Sequence, residues 1–236
     1  MRPYKIVIPS RNVENLTRCI EAIRKQGEQG QIIVVDDGLS HRPGFEGVRY
    51  APGLRPFVFA RNANLGITYA QNGCATLYAD GTAAYHYEPV SDVFLLNDDA
   101  LLQTPFGVRL LSSIVAARPK LGILSAAVDH IGNPNQYPKG QGYRDEPSRL
   151  CFVGVYVRRE LVSAIGLLDE RFTGYGFDDD DYSRRAVAAG FELGVYDEVV
   201  LHHKTLPSTF RGAGFPVEGF AYNKDQFEKK YASARD

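Results

Sequence analysis

The sequence predicts an α/β domain in which helices flank a mainly parallel central sheet. Short apolar segments of strand length alternate with longer segments whose apolar residues recur at helical spacing. Several short segments, such as QIIVV and VFLL, are apolar at consecutive positions, which is typical of strands buried on both faces. Such alternation of strands and helices builds a Rossmann-like sheet whose strands run mainly in one direction.

The first elements form a β-α-β unit. The segment YKIVIPS indicates a strand that leads into a loop, and QIIVVDDG indicates a second strand. Asn12 can cap the helix between them, which we expect to end near Gly27. Apolar residues of this helix recur at spacings of three and four: Val13, Leu16, Ile20 and Ile23.

The alternation continues along the chain. We predict a third strand at FVFA, a helix over residues 64–79, a strand at Asp92–Leu96, a helix over residues 104–117 and a strand at LGILSAAV. In the helix over residues 64–79 we expect four buried side chains: Leu65, Tyr69, Cys74 and Leu77.

The second half adds a long polar segment and further elements. Residues 129–149 are rich in Gly and Pro, and a loop of this length inside a domain is usually a functional lid or disordered. We then predict strands at LCFVGVYV and DEVVL, and helices at RRELVSAIG, at GYGFDDDDYSRRAVAAG and over residues 222–231. No domain boundary is evident, so we expect residues 1–236 to form one domain.

Composition excludes several classes of protein. The formal net charge is −1, and 44% of the residues are hydrophobic, so no global field favours nucleic acid or an anionic membrane. The longest apolar segments fall short of the roughly 20 residues that cross a bilayer, and the N-terminus lacks a signal-peptide core, so we expect no transmembrane segment and a cytoplasmic protein. The three cysteines, Cys19, Cys74 and Cys151, are far apart and are expected to be buried packing residues.

Polar residues follow several predicted strands. In open α/β sheets the ligand crevice lies beyond the carboxyl ends of the strands. Six residues occupy such positions and are expected to line one crevice: Ser10, Arg11, Asp36, Asp37, Asn97 and Asp99.

Two of these strand ends carry acidic motifs. Asn97-Asp98-Asp99 ends a buried strand, and buried carboxylates are costly unless they are paired or bound to a cation. In an extended segment Asn97 and Asp99 face the same way, and their oxygens suit Mg²⁺ or Mn²⁺; the alternative is a simple turn with an Asp helix cap. Asp36-Asp37-Gly38 is either a turn or a contact to a nucleotide.

The run of four aspartates at 178–181 is harder to explain as a surface feature. Four adjacent carboxylates repel one another, and a helix N-terminus offsets only about 0.3 to 1 kcal/mol per charge. On a helix Asp178 and Asp181 share a face while Asp179 points elsewhere, so these residues can differ in role. A solvated first turn is the alternative.

His202 and His203 follow DEVVL and are candidate ligands if the crevice holds a metal.

Taken together in this order, these segments resemble the family 2 glycosyltransferases of the GT-A fold. The resemblance covers residues 4 to 208, and its most specific part is the last of five segments: IVIPSRN, IIVVDDGLS, RNANLGITYAQNG, LLNDDA and LLDERFTGYGFDDDDYSRRAVAAG. It implies a GT-A fold, with a nucleotide-sugar-binding half over residues 1–100 and an acceptor-binding half over residues 101–236.

The resemblance also implies roles for single residues. Asp36 or Asp37 would contact the nucleotide, and Asp99 would hold the divalent metal that bridges the donor's diphosphate. Asp179 would be the general base, with Asp178 positioning the acceptor. The histidine that contacts metal or diphosphate would be His203, or His202 if the register shifts by one. Matched segments add further donor-binding candidates: Pro9, Ser10, Arg11, Asn64, Gly66, Asn97 and Asp98.

Some positions depart from the family pattern. Asn97 replaces the first Asp of the metal motif, Leu39 replaces a small hydroxyl residue, and Asp178 replaces a more common Glu. Leu206 and Pro207 interrupt a stretch that usually carries glycine. Asp99 and Asp179 are retained.

The expected function is therefore metal-dependent, inverting sugar transfer from a nucleotide sugar, with UDP-sugar as the expected donor and Mn²⁺ or Mg²⁺ as the metal. Two alternatives remain: a non-catalytic nucleotide-sugar or glycan-binding module, and a nucleotidyltransferase, although PSRNVEN lacks the glycine-rich phosphate loop of the latter.

The acceptor is left open by the sequence. A glycan, a lipid-linked glycan, a protein or a hydroxylated nucleobase are all compatible with this fold. We expect residues 129–149 and 205–222 to shape the acceptor site. Near-neutral charge disfavours nucleic acid, although four arginines could form a local patch: Arg144, Arg149, Arg158 and Arg159.

Overall fold

A nine-stranded mixed sheet runs through the protein in a computed structural model that describes residues 1–72, 74–77, 83–86, 90–204 and 217–232. The strands of the described ranges are β1 (Tyr4–Ser10), β2 (Gln31–Asp36), β3 (Val48–Pro52), β4 (Cys74–Leu77), β5 (Ala83–His86), β6 (Asp92–Leu96), β7 (Leu101–Leu102), β8 (Leu121–Val128), β9 (Tyr143–Asp145), β10 (Gly154–Val157) and β11 (Glu192–His202). The α-helices are α1 (Val13–Lys25), α2 (Phe59–Asn72), α3 (Gly107–Ala117), α4 (Arg159–Ile165), α5 (Asp178–Ala188) and α6 (Val217–Ala232).

The strand order of the sheet is β3-β2-β1-β6-β10-β8-β11-β7, with β9 paired to β11, while β4 and β5 form a separate hairpin. β1 pairs in parallel with β2 and β6, β2 with β3, and β8 with β11. β10 is antiparallel to both β6 and β8, and β7 and β9 are antiparallel to β11. Six strands therefore run in one direction, which confirms the predicted α/β class.

The first β-α-β unit has the predicted form. The Asn12 side chain accepts a hydrogen bond from the backbone N–H of Asn15 at 3.1 Å and so caps α1. The apolar face of α1 is fully buried in the cluster that covers one face of the sheet, through Leu16, Cys19, Ile20 and Ile23. Burial of these side chains holds α1 against the sheet, where it contacts β1 and β7.

The predicted third strand at FVFA is wrong. Its last two residues begin α2, and the third strand is VRYAP, one segment earlier. A short apolar run does not distinguish a strand from a helix, whereas the buried residues of α2 recur at helical spacing: Ala60, Ala63, Ile67 and Ala70. β3 lies at the end of the strand order and is only partly buried, so it lacks a continuous apolar pattern.

The predicted helix over residues 64–79 also extends too far. α2 ends at Asn72, and residues 74–77 form β4. Leu65 and Tyr69 are half-buried and pack against the core, whereas the side chains of Cys74 and Leu77 lie outside the described residues. Of the other cysteines, Cys19 is buried and Cys151 is half-buried, and both are free thiols.

In the second half of the chain, the predicted helices and strands are present with different boundaries, and two short strands, β7 and β9, were not predicted. β11 begins well before DEVVL, α6 begins before residue 222, and β10 is shorter than LCFVGVYV. No helix within the described ranges combines the length and apolar character needed to cross a membrane.

The long polar segment over residues 129–149 is packed onto the sheet. It contains a short 3₁₀-helix and β9, which pairs with β11. The fully buried Gln136 donates to Ser125 Oγ at 2.8 Å and exchanges two hydrogen bonds with the backbone of Cys151. These bonds anchor the segment to β8 and to the residues that lead into β10.

Gly66 is required by the contact between α2 and the sheet. A Cβ at this position would lie 2.1 Å from Val7 Cγ1 and 3.1 Å from Val35 Cγ2, both in buried strands. Only a residue without a side chain allows α2 to approach this closely.

We therefore expect Gly66→Ala to lower the free energy of unfolding by about 1 to 3 kcal/mol, because the added methyl group overpacks the core. Urea unfolding measures the change. Gly44→Ala is the control, since a Cβ at this exposed glycine meets no atom within 4 Å and its effect should stay within about 0.5 kcal/mol. Equal stability of the two variants would contradict this packing.

Candidate functional site

The crevice begins where β1, β2 and β6 end side by side. In the parallel register Ser10 lies opposite Asp36, and Val7 lies opposite Leu95. The buried Ser10 hydroxyl donates a 2.6 Å hydrogen bond to Asp98 Oδ2, and the Ser10 carbonyl accepts a 3.0 Å bond from the N–H of Asp37. Pro9, also buried, is paired with Val35. These bonds hold the three strand ends together.

Asp36 and Asp37 have different surroundings. Asp36 Oδ1 accepts from the N–H groups of Gly38 and Leu39, both at 2.9 Å, and its Oδ2 accepts from Arg42 Nε at 2.8 Å. Burial raises the pKa of Asp36, but these hydrogen bonds outweigh it and lower the pKa below its ordinary value. The Asp36 carboxylate therefore shapes the turn after β2.

Asp37 is buried, and its Oδ1 has no hydrogen-bond partner within the described part of the chain. Burial raises the pKa of Asp37, while the positive charges of Arg11 and Arg55 oppose this rise. Arg11 is exposed, and its guanidinium lies 5.1 Å from the centre of the Phe57 ring. An unpartnered acceptor thus lies beside two cationic side chains.

The motif after β6 carries two more unpartnered oxygens. The backbone N–H of Asn97 donates to the carbonyl of Val153 at 2.8 Å, but Asn97 Oδ1 and Asp99 Oδ1 accept no hydrogen bond from any described residue. Among the described residues, four buried side-chain polar atoms lack a partner: Asp37 Oδ1, Asn97 Oδ1, Asp99 Oδ1 and Gln71 Nε2. Three of these four lie at the ends of β2 and β6. Buried polar groups are normally satisfied, so their grouping indicates a ligand site.

His203 approaches Asp99 because β11 pairs with β7, in a register that places His202 opposite Leu101. His203 Nδ1 lies 2.7 Å from the carbonyl of His130, so this nitrogen carries the proton and Nε2 of the neutral ring is an acceptor. Nε2 lies 3.2 Å from Asp99 Oδ1 without the alignment of a hydrogen bond.

Two acceptors at this distance require a proton or another cation between them. Burial lowers the pKa of His203, but the contacts with Asp99, with the His130 carbonyl and with Asp129 outweigh it and raise the pKa. A divalent cation can replace the proton, and the ligand types, one carboxylate and one imidazole, suit Mn²⁺.

His202 has a different partner. Its Nδ1 contacts Asp129 Oδ2, and the other oxygen of that carboxylate accepts a 2.8 Å bond from the N–H of His203. Asp129 therefore orients both histidines. Asp129 and His130 directly follow β8, and the strand-end rule that selected Asp99 could also have selected them.

The structure brings together only part of a complete metal site. Within the described ranges, no three His, Cys, Asp or Glu side chains converge as metal ligands. A cation held by Asp99 and His203 would need its remaining ligands from water or from a bound phosphate group.

The four aspartates form the first turn of α5, and two of them are neutralised. Asp181 is fully buried; its oxygens contact Arg185 Nε at 2.8 Å, Lys230 Nζ at 2.5 Å and the Tyr231 hydroxyl at 2.7 Å. Asp180 pairs with Arg149 at 3.0 Å. These two carboxylates hold the acidic turn in place.

The carboxyl groups of Asp178 and Asp179 have raised pKa values. Burial raises the pKa of Asp178 to about 6, and the charges of Asp180 and Asp181 add to this rise. Burial, followed by the charges of Asp178 and Asp180, raises the pKa of the half-buried Asp179 well above its ordinary value. Perturbed carboxyl groups in a cleft are candidates for proton transfer.

Two consecutive residues before β10 connect the acidic turn to the end of β6. The N–H of Phe152 donates to Asp179 Oδ2 at 3.3 Å, and the carbonyl of Val153 accepts from Asn97. The two acidic motifs are thus linked through a single short segment.

Asn64 and Gly66 have structural tasks. The buried Asn64 side chain accepts from the N–H of Leu168 at 2.9 Å and donates to the Leu168 carbonyl and to Glu170 Oε1. It anchors the segment that leads to α5, and Gly66 allows α2 to pack, as described above. Both residues are predicted donor contacts; in the structure the Asn64 amide is engaged by Leu168 and Glu170, and Gly66 lies against Val7 and Val35.

Each of the four arginines considered for a local patch contacts a carboxylate or a backbone carbonyl. The Arg144 side chain is largely buried and pairs with Asp197 at 2.6 Å, and Arg158 is buried against backbone carbonyls. Arg149 pairs with Asp180, and Arg159 contacts Glu160 and the Val90 carbonyl.

A cavity of about 640 Å³ lies at the amino end of β2, at the end of the strand opposite the crevice. Its lining includes Arg24 and Phe45.

Solved structures with the same architecture identify the fold. A structure of GalNAc-T7 with UDP, GalNAc and Mn²⁺ matches 97% of this chain at 11% identity, with a TM-score of 0.66. A structure of S. aureus TarS matches 97% at 12% identity and a TM-score of 0.63. The chain has the GT-A fold.

A third match is the mannosyltransferase PcManGT from Pyrobaculum calidifontis in complex with GDP-Man and Mn²⁺, which covers the whole chain at 14% identity and a TM-score of 0.63. The chain spans 50% of the GalNAc-T7 structure and 65% of each of the other two. No protein-family profile and no curated protein matches the chain.

Proposed function

We propose that the protein is a metal-dependent, inverting glycosyltransferase related to family 2, which transfers a sugar from a UDP-sugar to an acceptor hydroxyl. One observation carries the proposal: buried oxygens of Asp37 and Asn97 that accept no hydrogen bond from the described residues, and an Asp99 oxygen that faces only His203 Nε2 at 3.2 Å, lie at the carboxyl ends of the parallel strands. A nucleotide diphosphate with its metal supplies both N–H donors and a cation to such a site.

Asp37 is the proposed contact for the nucleobase. Its Oδ1 accepts no hydrogen bond from the described residues, and the ring N–H of uracil can donate one. Asp36 is left with a shaping role because its oxygens are already bonded to Gly38, Leu39 and Arg42. UDP in the GalNAc-T7 structure and UDP-GlcNAc in a second TarS structure support this donor class.

Asp99 and His203 are the proposed protein ligands of the metal, Mn²⁺ or Mg²⁺. When bound, the cation would neutralise charge on the diphosphate leaving group. Asp129 and the His130 carbonyl fix the His203 ring, and Ser10 holds Asp98 beside the ligand Asp99. Mn²⁺ in the structures of GalNAc-T7 and PcManGT supports the choice of metal.

Asp179 is the proposed general base. Its raised pKa suits the removal of a proton from the acceptor hydroxyl, which would attack the sugar from the face opposite the diphosphate and invert the anomeric centre. The adjacent Asp178 would orient the acceptor. Residues 129–149 and α6 flank this acidic turn through Arg149 and Lys230, which supports an acceptor site on that side.

The base assignment predicts the behaviour of Asp179→Asn. We expect sugar transfer to fall by about 10² to 10⁴-fold, because the amide cannot take the acceptor proton, while binding of UDP with Mn²⁺ is retained. Folding stability at neutral pH should stay equal or increase, because a carboxyl group whose pKa is raised in the folded state costs stability above its ordinary pKa. Transfer is measured with a radiolabelled UDP-sugar and binding by calorimetry.

The wild-type rate should rise with pH through the raised pKa of Asp179, because only the ionised carboxylate accepts a proton. Its acid limb should therefore lie above the range of an ordinary aspartate. Asp180→Asn is the matched comparison: it removes an adjacent charge that raises the pKa of Asp179, so activity should be retained while the acid limb moves to lower pH. Full activity in Asp179→Asn would refute the assignment of the base.

The metal assignment predicts a difference between two adjacent histidines. His203→Ala should weaken Mn²⁺ binding in the presence of UDP by about tenfold or more, because a ligand is lost. His202→Ala should cause a smaller loss, since its Nδ1 faces Asp129. Electron paramagnetic resonance of free Mn²⁺ measures both affinities. A larger effect of His202→Ala would reverse the assignment.

A further inference from the structure

The C-terminal helix α6 contacts the turn that directly precedes the acidic residues of α5. Asn223 of α6 is fully buried. Its Oδ1 accepts a hydrogen bond from the N–H of Gly174 at 3.0 Å, and its Nδ2 donates to the carbonyl of Gly176 at 2.6 Å. One side chain therefore fixes both ends of the Gly174–Gly176 turn.

The backbones of the turn and of α6 also touch. A Cβ on Gly174 would lie 2.1 Å from the carbonyl oxygen of Gly219, and a Cβ on Gly219 would lie 3.3 Å from Gly174 Cα. Two glycines that face each other allow this approach, which brings Asn223 within reach of the turn.

The residue after the turn is held in an unfavourable backbone conformation. Phe177 has a φ of 68°, in the left-handed region, and its carbonyl accepts the first helical bond of α5 from Asp181 at 2.9 Å. Its ring lies 5.1 Å from the Phe220 ring and 5.4 Å from the Phe227 ring, both on α6. Such a conformation persists when surrounding contacts impose it.

Charged contacts join α6 to the other side of the same turn of α5. Lys230 Nζ contacts Asp181 Oδ1 at 2.5 Å and Asp169 Oδ2 at 2.7 Å, and the Tyr231 hydroxyl donates to Asp181 Oδ1. α6 is thus bonded to the chain both before and after Asp178 and Asp179.

We propose that α6 sets the orientation of the Asp178–Asp179 pair toward the acceptor hydroxyl, and that Asn223 is the positioning residue through which it acts. The proposal rests on the proposed function, because it assigns a task to α6 in the same transfer reaction. It predicts that the contact of Asn223 with the turn affects the chemical step and leaves donor binding intact.

Asn223→Leu tests the proposal, because leucine has a similar size and removes both hydrogen bonds. We expect kcat to fall by about 100-fold, as for a misplaced catalytic group, with the KM for the UDP-sugar and the stabilisation by UDP with Mn²⁺ unchanged. Hydrogen exchange should become faster at Gly174 and in the first turn of α5, and remain unchanged in β1 and β6. Lys224→Ala, an exposed neighbour on the same helix, is the control.

Gly219→Ala is a second variant that tests the role of α6 if Asn223→Leu folds poorly. Alanine favours the helix, but its Cβ would press α6 away from Gly174 by a few tenths of an ångström. We expect unchanged or increased thermal stability together with a kcat lowered by about tenfold. A variant that is at least as stable as wild type and slower in turnover separates positioning from simple loss of folding.

The outcomes distinguish this proposal from the proposed function. Unchanged kcat in a folded Asn223→Leu variant, or an equal loss of donor binding and kcat, would overturn the role of α6. If the wild type transfers no sugar, the proposed function fails. In that case the role of α6 in transfer fails with it, and hydrogen exchange reports only whether Asn223 holds the turn: faster exchange in Asn223→Leu shows that it does.

Discussion

The parallel pairing of β1 with β2 and β6 is the constraint on which the rest of the site depends. Parallel strands end at one edge, so their last residues are forced together at the carboxyl end of the sheet. Ser10 completes the arrangement by bonding to both Asp98 and the backbone of Asp37. The result is a crevice at which buried oxygens of Asp37 and Asn97 accept no hydrogen bond from the described residues.

The acidic residues form two groups. One group is held by hydrogen bonds and ion pairs and has a structural role, and the other is the group proposed to bind ligand or transfer a proton. Asp36, Asp180 and Asp181 are held by basic side chains or backbone N–H groups and fix the turns around the crevice. Asp37, Asp99 and Asp179 carry unpartnered oxygens or a raised pKa, which costs folding free energy. A ligand that supplies a cation and N–H donors would offset this cost, as expected of a functional site.

Local patterns predicted the central elements, and non-local contacts account for the errors. The unit from β1 to β2 and the strands β6 and β8 were predicted because buried strands and an amphipathic helix have strong periodic signals. β3 was missed because an edge strand is only half-buried. The sequence left open which of Asp36 and Asp37 contacts the nucleotide, and which of His202 and His203 faces the metal. The partners that distinguish them, such as Arg42 of Asp36 and Asp129 of His202, cannot be identified from the neighbouring sequence.

Thermal unfolding shows whether the crevice binds a nucleoside diphosphate through a metal. Wild type and Asp99→Ala are compared with a panel of UDP, GDP, ADP and CDP, each with and without Mn²⁺. We expect stabilisation of the wild type that requires Mn²⁺, is largest for UDP and is lost in Asp99→Ala. The absence of any shift, or an equal shift in Asp99→Ala, would contradict this expectation.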